Sequence, residues 1–551
     1  MAVEGFPAHS MRRNVDIAEY YKFRWWLGIT LGDMLDKATD LYPAKEALVD
    51  DNSRLTYAQL RDKVDRLAIA LIKLGIGEQD RVLLQLPNWS EFVYSYFALQ
   101  KIGAVTVLLI PRYAQTEVSH LCHLTGATAW ILPEKYRNID YMPIINDVSQ
   151  SSPQLKHVIL VRGKEQERFP NLKKLIQNAE LSEDSIHELA DRRPDPMEVA
   201  HLAPTGGTTG LPKVAARTHN NLICNVEYKA RAWELNNSDI CLTMAPVGHD
   251  MVSTVGICGT IFSFGKLVLL DSTMPEDFCK TVQRERVTCA VTVPALATRI
   301  ANFEGLKDYD MSSLLKLHVG GAPSPPDLVR AIHEKIGCKY VIGLGSSEGL
   351  NCMTRLDYDL DSICSTSGRP CCPYTEYKII DQDETELPLN AEGELVAKGP
   401  DVFSGYFNAP EENRKSFTKD GFFKTGDLAR IDDLGRIRIT GRIKDIILRG
   451  GENIIPAEIE RLIITHPGVE DVSVIGMPDK ELGERICAYI KPVSGAKLSF
   501  EEIISFLKGK GASVLQLPER IEFIDSIPLT KVGKADKRAL KEDIKRRLGM
   551  A

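Results

Sequence analysis

Ala203-Pro-Thr-Gly-Gly-Thr-Thr-Gly-Leu-Pro-Lys213 is the stretch around which the rest of the chain is organised. Its glycines (Gly206, Gly207, Gly210) let a backbone approach a ligand closely, and its hydroxyls (Thr205, Thr208, Thr209) and amides donate hydrogen bonds. Lys213 adds a positive charge, so the loop is suited to wrapping a polyanion. It is not a Walker A loop, because Pro212 stands before the lysine where that motif needs glycine, and no Ser or Thr follows. A plain surface turn has a similar composition, so the rest of the chain has to decide. Apolar residues precede the loop, as expected if it leaves a buried strand.

A chain of 551 residues is too long for one hydrophobic core and implies roughly two to four domains. The net charge of −7 leaves no basic footprint for nucleic acid. No apolar run approaches the roughly eighteen residues of a membrane span, and Met1–Pro7 lacks the pattern of a secretory signal. The twelve cysteines form no metal or disulfide framework. These features predict a cytoplasmic protein with free thiols, and they allow a homodimer. Helical periodicity at Ile29–Ala38, Thr56–Leu74, Glu91–Ile102, Asn220–Ala232, Val252–Phe264 and Pro275–Glu285 alternates with apolar strands at Arg81, Ala104–Leu109, Ala129–Leu132, Ile240–Met244, Lys266–Leu270 and Cys289–Val293. Such alternation predicts parallel sheets covered by helices on both faces. From Tyr377 the texture changes to short strands and turns, and Asp445–Ala551 mixes strands with helices.

Several further constellations carry chemistry. Gly343-Leu-Gly-Ser-Ser-Glu-Gly349 follows an apolar strand and offers backbone donors and one carboxylate. Glu348 there suits either a Mg²⁺ ligand beside phosphate oxygens or a helix cap. Asp427, in Lys424-Thr-Gly-Asp427, can accept hydrogen bonds from two vicinal hydroxyls or simply close an Asx turn. Gly441-Arg-Ile-Lys-Asp445 places Arg442 and Lys444 where the texture changes. Gly533 sets Lys534 on an exposed basic turn, although charge runs are often only solvated faces.

In this order the stretches resemble the acyl-adenylate-forming superfamily, which includes acyl-CoA synthetases, aryl-acid AMP ligases, adenylation domains and luciferases. The resemblance extends from about Ile29 to Arg547. Thr205–Lys213 matches the family's phosphate loop, and Leu344–Glu348 its aromatic-Gly-x-Thr-Glu motif, with Leu344 and Ser347 as departures. Asp427, Gly441–Asp445 and Lys534 match the remaining motifs. The implied fold is α/β: a large N-terminal domain of two helix-covered sheets (1–443, with a β-rich subdomain at 376–443) and a small mobile α+β C-terminal domain (444–551).

The implied reaction activates a carboxylic acid with ATP and Mg²⁺, releases pyrophosphate, and transfers the acyl group to a thiol. Thr205, Gly206, Gly207, Thr208, Thr209, Gly210 and Lys213 are then expected to hold the β- and γ-phosphates. Gly345, Ser346 and Ser347 also face the nucleotide, Glu348 holds the metal, Asp427 the ribose, and Arg442 ribose or phosphate. Lys534 is expected to stabilise the adenylation transition state, and Lys444 to be the hinge of the swinging small domain.

The text at Leu83–Asn88, Arg217-Thr-His219 and Gly368-Arg-Pro370 is similar to the 2,3-dihydroxybenzoate-type aryl-acid ligases. Where those frame a hydroxylated ring with His-Asn-Tyr and a small polar residue, this chain has His249-Asp250-Met251 and Val255. His249 is read as gating the substrate, though a core histidine fits the same text. With Gly320, Gly321 and Ala322 these residues outline an acid slot of apolar character, favouring benzoate or a cyclohexane or cyclohexene carboxylate. Loss of the catechol contacts favours coenzyme A as acceptor. A carrier-loading aryl-acid ligase is the alternative, and an inactive nucleotide-binding protein a third reading.

Overall fold

The computed structural model describes residues 14–164, 168–205, 211–530 and 533–550. They fall into two compact units, one of residues 14–205, 211–376 and 397–417, the other of 377–396 and 418–550.

The first unit contains two large sheets. In one, six parallel strands lie in the order Glu46–Val49, Lys266–Leu269, Ile240–Thr243, Cys289–Thr292, Lys316–Gly320, Lys339–Gly345. Antiparallel strands finish it at Arg54–Thr56 on one edge and at Asn351–Met353 and Arg369–Pro370 on the other. In the second, Val199–Pro204, Val105–Leu108, Arg81–Leu84, Ala129–Pro133 and His157–Val161 run parallel. The strands Ala129–Pro133 and Cys289–Thr292 are buried at every position. That is the signature of strands covered on both faces, and it accounts for their unbroken apolar text.

The helices start where the text places a cap. Thr30 and Thr56 cap Leu31–Leu41 and Tyr57–Lys73 as capping boxes with Asp33 and Gln59, and Gly75 follows the second with φ +82.

Two elements differ from the periodicity reading. Val214–Thr218, between the loop and the helix His219–Ala232, is a strand antiparallel to Val199–Pro204, so the glycine loop connects the two arms of a hairpin. The stretch read as one helix from Val252 begins as a π-helix over Val252–Cys258 and becomes α-helical only at Gly259–Phe262. Ser253 and Thr254 donate their hydroxyls to the Asp250 carbonyl there, and Gly256 packs so closely that a Cβ would lie 2.6 Å from Thr243 Cγ2.

In the second unit, Phe423–Ile431 and Ile437–Arg442 pair antiparallel in a small sheet. A further sheet joins Val469–Asp479, Gly483–Pro492, Arg520–Phe523 and the hairpin Ile447–Arg449/Glu452–Ile454. The helices Pro456–Ile463 and Phe500–Gly509 bury Ile459, Ile463, Ile503 and Leu507 in the core that forms on it. All twelve cysteines are free, and all but Cys364 are buried. Among the described residues no helix is long and apolar enough to cross a membrane.

Candidate active site

The hairpin brings the two ends of the glycine loop together: the Thr205 amide donates to the Lys213 carbonyl at 2.8 Å. Gly206–Gly210 lie outside the described residues. Lys213 Nζ is 2.5 Å from Glu412 Oε1 and lies 4.4 Å from the centroid of the Tyr406 ring. Tyr406 in turn donates its hydroxyl to Glu348 Oε1 at 2.7 Å. Tyr406 therefore links two residues expected at the nucleotide, Lys213 and Glu348. It sits in a two-residue strand paired with Ala215, and the Asn413 side chain clamps its backbone on both sides.

Glu348 is held in place through its backbone as well. Its carbonyl accepts from the Phe403 amide at 2.8 Å, and Ser347 Oγ donates to the Pro204 carbonyl at 3.4 Å. Gly349 has φ +100, and a Cβ there would lie 2.2 Å from the Asp401 carbonyl, so only glycine fits. Arg217, with 0% exposure, donates to the carbonyls of Ser347 at 3.2 Å and Asp401 at 3.1 Å. Gly345 ends the preceding strand, and Leu344 pairs with Cys352.

Two hydroxyls, Thr205 Oγ1 and Ser346 Oγ, are buried without a hydrogen-bond partner. Such groups are costly unless a ligand satisfies them. With Lys213 they form a donor set that fits a phosphate chain. Among the described residues no cluster of three or more His, Cys, Asp or Glu could hold a metal by itself. A Mg²⁺ that takes most of its oxygens from phosphates and water needs only one carboxylate, and Glu348 fits that requirement.

The residues expected around the acid lie at the ends of the parallel strands. Met251 and Gly320 meet: a Cβ on Gly320 would lie 2.7 Å from Met251 Sδ and 2.9 Å from the Gly343 carbonyl. Gly321 has φ +87 beside Val293, Ala322 is half-buried, and Val255 is buried in the core of the first unit. His249 is half-buried, and its Nδ1 accepts from the Met251 amide at 3.3 Å. The Asp250 carboxylate sits 3.1 Å from His201 Nε2, and the other nitrogen of that ring meets Tyr96 Oη at 3.1 Å. Burial pushes the Asp250 carboxyl up, but His201 and the charge of Arg217 outweigh it and hold it at about 2. Asp250 thus belongs to a buried polar layer beneath the turn.

The second unit carries the other expected residues. Asp427 and Arg442 are register partners with a 2.7 Å ion pair, Asp427 buried and Arg442 half-exposed. Lys444 lies in the 3₁₀ turn Ile443–Asp445 that follows. Partial enclosure, and then the charges of Arg442 and Lys534, lower its ammonium from the ordinary value, with Asp445 and Asp427 opposing. Lys534 is exposed on a tight turn closed by Thr530, whose amide donates to the Lys534 carbonyl at 2.7 Å, with Gly533 at φ +83.

Sheets of this kind, a phosphate-suited hairpin loop and a lone carboxylate beside it define an adenylate-forming ligase. Residues 35–407 match the AMP-binding enzyme family and residues 458–534 the AMP-binding enzyme C-terminal domain, and the chain belongs to this family, in its aryl-acid AMP ligase branch.

The chain is 35% identical to a 2,3-dihydroxybenzoate-AMP ligase of Bacillus subtilis over 97% of both chains. It is 33% identical to a salicyl-AMP ligase/salicyl-S-ArCP synthetase of Mycobacterium tuberculosis, covering 97% of this chain and 93% of that one. A 2-hydroxy-7-methoxy-5-methyl-1-naphthoate–CoA ligase of Streptomyces carzinostaticus is 33% identical over 95% of both. Among solved structures, the apo structure of MbtA from Mycobacterium smegmatis superimposes with a TM-score of 0.72 at 31% identity, covering 96% and 97% of the two chains.

Proposed function

We propose that this enzyme adenylates an aryl carboxylic acid and delivers the acyl group to the phosphopantetheine thiol of a carrier protein. The observation that carries the nucleotide half is the Lys213–Tyr406–Glu348 chain beside two unsatisfied hydroxyls, Thr205 and Ser346. The acceptor differs from the expectation of coenzyme A. The full-length likeness to aryl-acid AMP ligases, one of them named as a salicyl-S-ArCP synthetase, supports the carrier-loading alternative better.

The acid's carboxylate oxygen attacks the α-phosphate of ATP, and the bond to pyrophosphate breaks, giving a mixed anhydride. A thiol then attacks the acyl carbon, its proton is lost, and AMP leaves. Thr205–Lys213 binds the β- and γ-phosphates, Gly345–Ser347 borders the nucleotide, Asp427 accepts from the ribose hydroxyls, and Arg442 donates to ribose or phosphate. Glu348 would hold Mg²⁺, which offsets charge on the phosphates. Lys534 stabilises the charge that develops during adenylation, and His249 gates an acid slot formed with Met251, Val255 and Gly320–Ala322. The division at 1–443 and 444–551, with Lys444 as hinge, belongs to the same proposal.

The test is ATP–pyrophosphate exchange over a panel of ring acids, followed by AMP release with coenzyme A or with a phosphopantetheinylated carrier protein. Exchange with aryl acids and release stimulated by the carrier is the expected result. Release driven by coenzyme A alone would overturn the acceptor, and absence of exchange the whole reading.

A further inference from the structure

Lys213, the charged end of the phosphate loop, has a seat for its ammonium built by one short stretch of chain. Glu412 brings a carboxylate 2.5 Å from Nζ, and Tyr406 the face of its ring, 4.4 Å from Nζ to the centroid. Asn413 is buried; it accepts from the Tyr406 amide at 2.7 Å and donates to the Tyr406 carbonyl at 2.8 Å. Glu412 is its neighbour in the helix Pro410–Ser416, so the helix presents the carboxylate beside the ring.

The backbone around Lys213 is pinned on both sides. His120 Nε2 donates to the Pro212 carbonyl at 2.9 Å, the Thr205 amide to the Lys213 carbonyl at 2.8 Å, and the Phe407 amide to the Val214 carbonyl at 2.9 Å. What can move is the flexible four-carbon stem of the side chain.

The helix does not need the Glu412 carboxylate for itself. Glu411, one residue earlier, already supplies a first-turn acid and pairs with Arg414. The Glu412 and Lys213 side chains are each about two-fifths exposed, and an ion pair in that setting contributes little to stability. Its effect falls instead on Lys213. A phosphate that draws on this ammonium must displace the carboxylate, and a carboxylate that stays nearby repels it.

We infer that Glu412 is an internal competitor for Lys213 and loosens the enzyme's hold on the pyrophosphate end of ATP. Lys213 exchanges Glu412 for the phosphates as ATP binds, and the carboxylate takes the ammonium back as pyrophosphate departs. The exchange sets the affinity for ATP below what the lysine alone would give and eases release of pyrophosphate. Glu412 touches no reacting atom; it is a positioning residue that acts through Lys213. This rests on the reading of Lys213 as a contact to the β- and γ-phosphates.

The test is calorimetric: dissociation constants of ATP, pyrophosphate and AMP, each with Mg²⁺, for the wild type and for Glu412→Gln. The variant should bind ATP and pyrophosphate about 2- to 5-fold more tightly and AMP equally. The inhibition constant of pyrophosphate against ATP should fall by the same factor. Glu412→Ala should act in the same direction. Glu411→Gln makes the same change in net charge away from Lys213 and should leave all three constants unchanged. A purely structural role would lower the melting temperature without tightening either polyphosphate. That result overturns the inference, as does an equal gain for all three ligands or a gain in Glu411→Gln as large as in Glu412→Gln. Lys213→Met separates the two readings: it should weaken ATP and pyrophosphate but not AMP. If it weakens neither, the phosphate role of Lys213 in the proposed function fails, an outcome distinct from failure of Glu412 alone.

Discussion

Arg217→Met tests whether a buried guanidinium organises the nucleotide side of the first unit. Arg217 makes two charge-assisted hydrogen bonds, to the Ser347 and Asp401 carbonyls, each contributing about 1.5–3 kcal/mol. Its Nε is buried without a partner, which already costs about 1–3 kcal/mol in the native enzyme and is relieved in the variant. The difference predicts a net loss of roughly 2–4 kcal/mol. Its removal also takes a positive charge from near Asp250 and Asp401, both of which it lowers.

All five tryptophans lie in the first unit, so tryptophan fluorescence in a urea titration reports that unit alone. Because Ser347 leads directly into Glu348, the KM for ATP should rise together with the loss of stability, whereas the KM for the acid changes less. Arg217→Lys should recover part of both, since a single ammonium can replace one of the two bonds. A loss below about 0.5 kcal/mol with unchanged ATP KM would refute the reasoning, because it would mean that the two carbonyls find other donors.

Three further outcomes follow from the same geometry. Gly349→Ala should cost well over about 2 kcal/mol, because it combines a left-handed φ with a carbonyl in the way, whereas Gly426→Ala (φ +71, nothing within 4 Å) should cost only the conformational strain of roughly 1–2 kcal/mol. Equal melting temperatures for the two would contradict this. Lys534→Ala should abolish adenylation yet spare thioester formation from a preformed aryl-adenylate, and equal loss of both partial reactions would remove its assigned role. Burial lowers His219 and His318 to about 3; the unfolded chain therefore binds protons from about pH 6.5 downward while the folded chain does not. Their contribution is fully present above that pH and is lost as it falls towards 3. These two rings should contribute a loss of about 2–3 kcal/mol to the first unit between pH 7.5 and 5.5, and the His318→Leu profile should differ from that of the wild type by about half of this amount; identical profiles would mean that the ring is not buried neutral.

The parts of the site that the sequence makes legible are local. A run of glycines, threonines and a lysine, or a carboxylate after a glycine-rich turn, carries its chemistry within a few residues, and parallel strands buried on both faces announce themselves as unbroken apolar text. Tyr406 could not be found this way. Its strand is two residues long, and its partner Ala215 lies 191 positions earlier, so no periodicity marks it. Lys229 is equally silent about its burial. It falls on a helix whose periodicity was legible, but whether a lysine there faces water or the interior depends on the π-helix that packs against it.

The triplet Arg217-Thr-His219 makes the limit concrete. As text it served only to mark a likeness, yet the structure gives its three residues separate tasks. Arg217 fixes the Ser347 and Asp401 carbonyls. Thr218 accepts from the Asn221 amide and starts the helix that carries Lys229. His219 accepts from the Leu31 amide at 3.2 Å and ties in the start of the helix Leu31–Leu41. Only the middle task is local enough to be read from spacing, as a cap three residues before Asn221. The outer two depend on residues 130 and 184 positions downstream and 188 upstream. The reacting groups of such a site are therefore visible in short motifs, while the residues that hold them in place become visible only when the chain is folded.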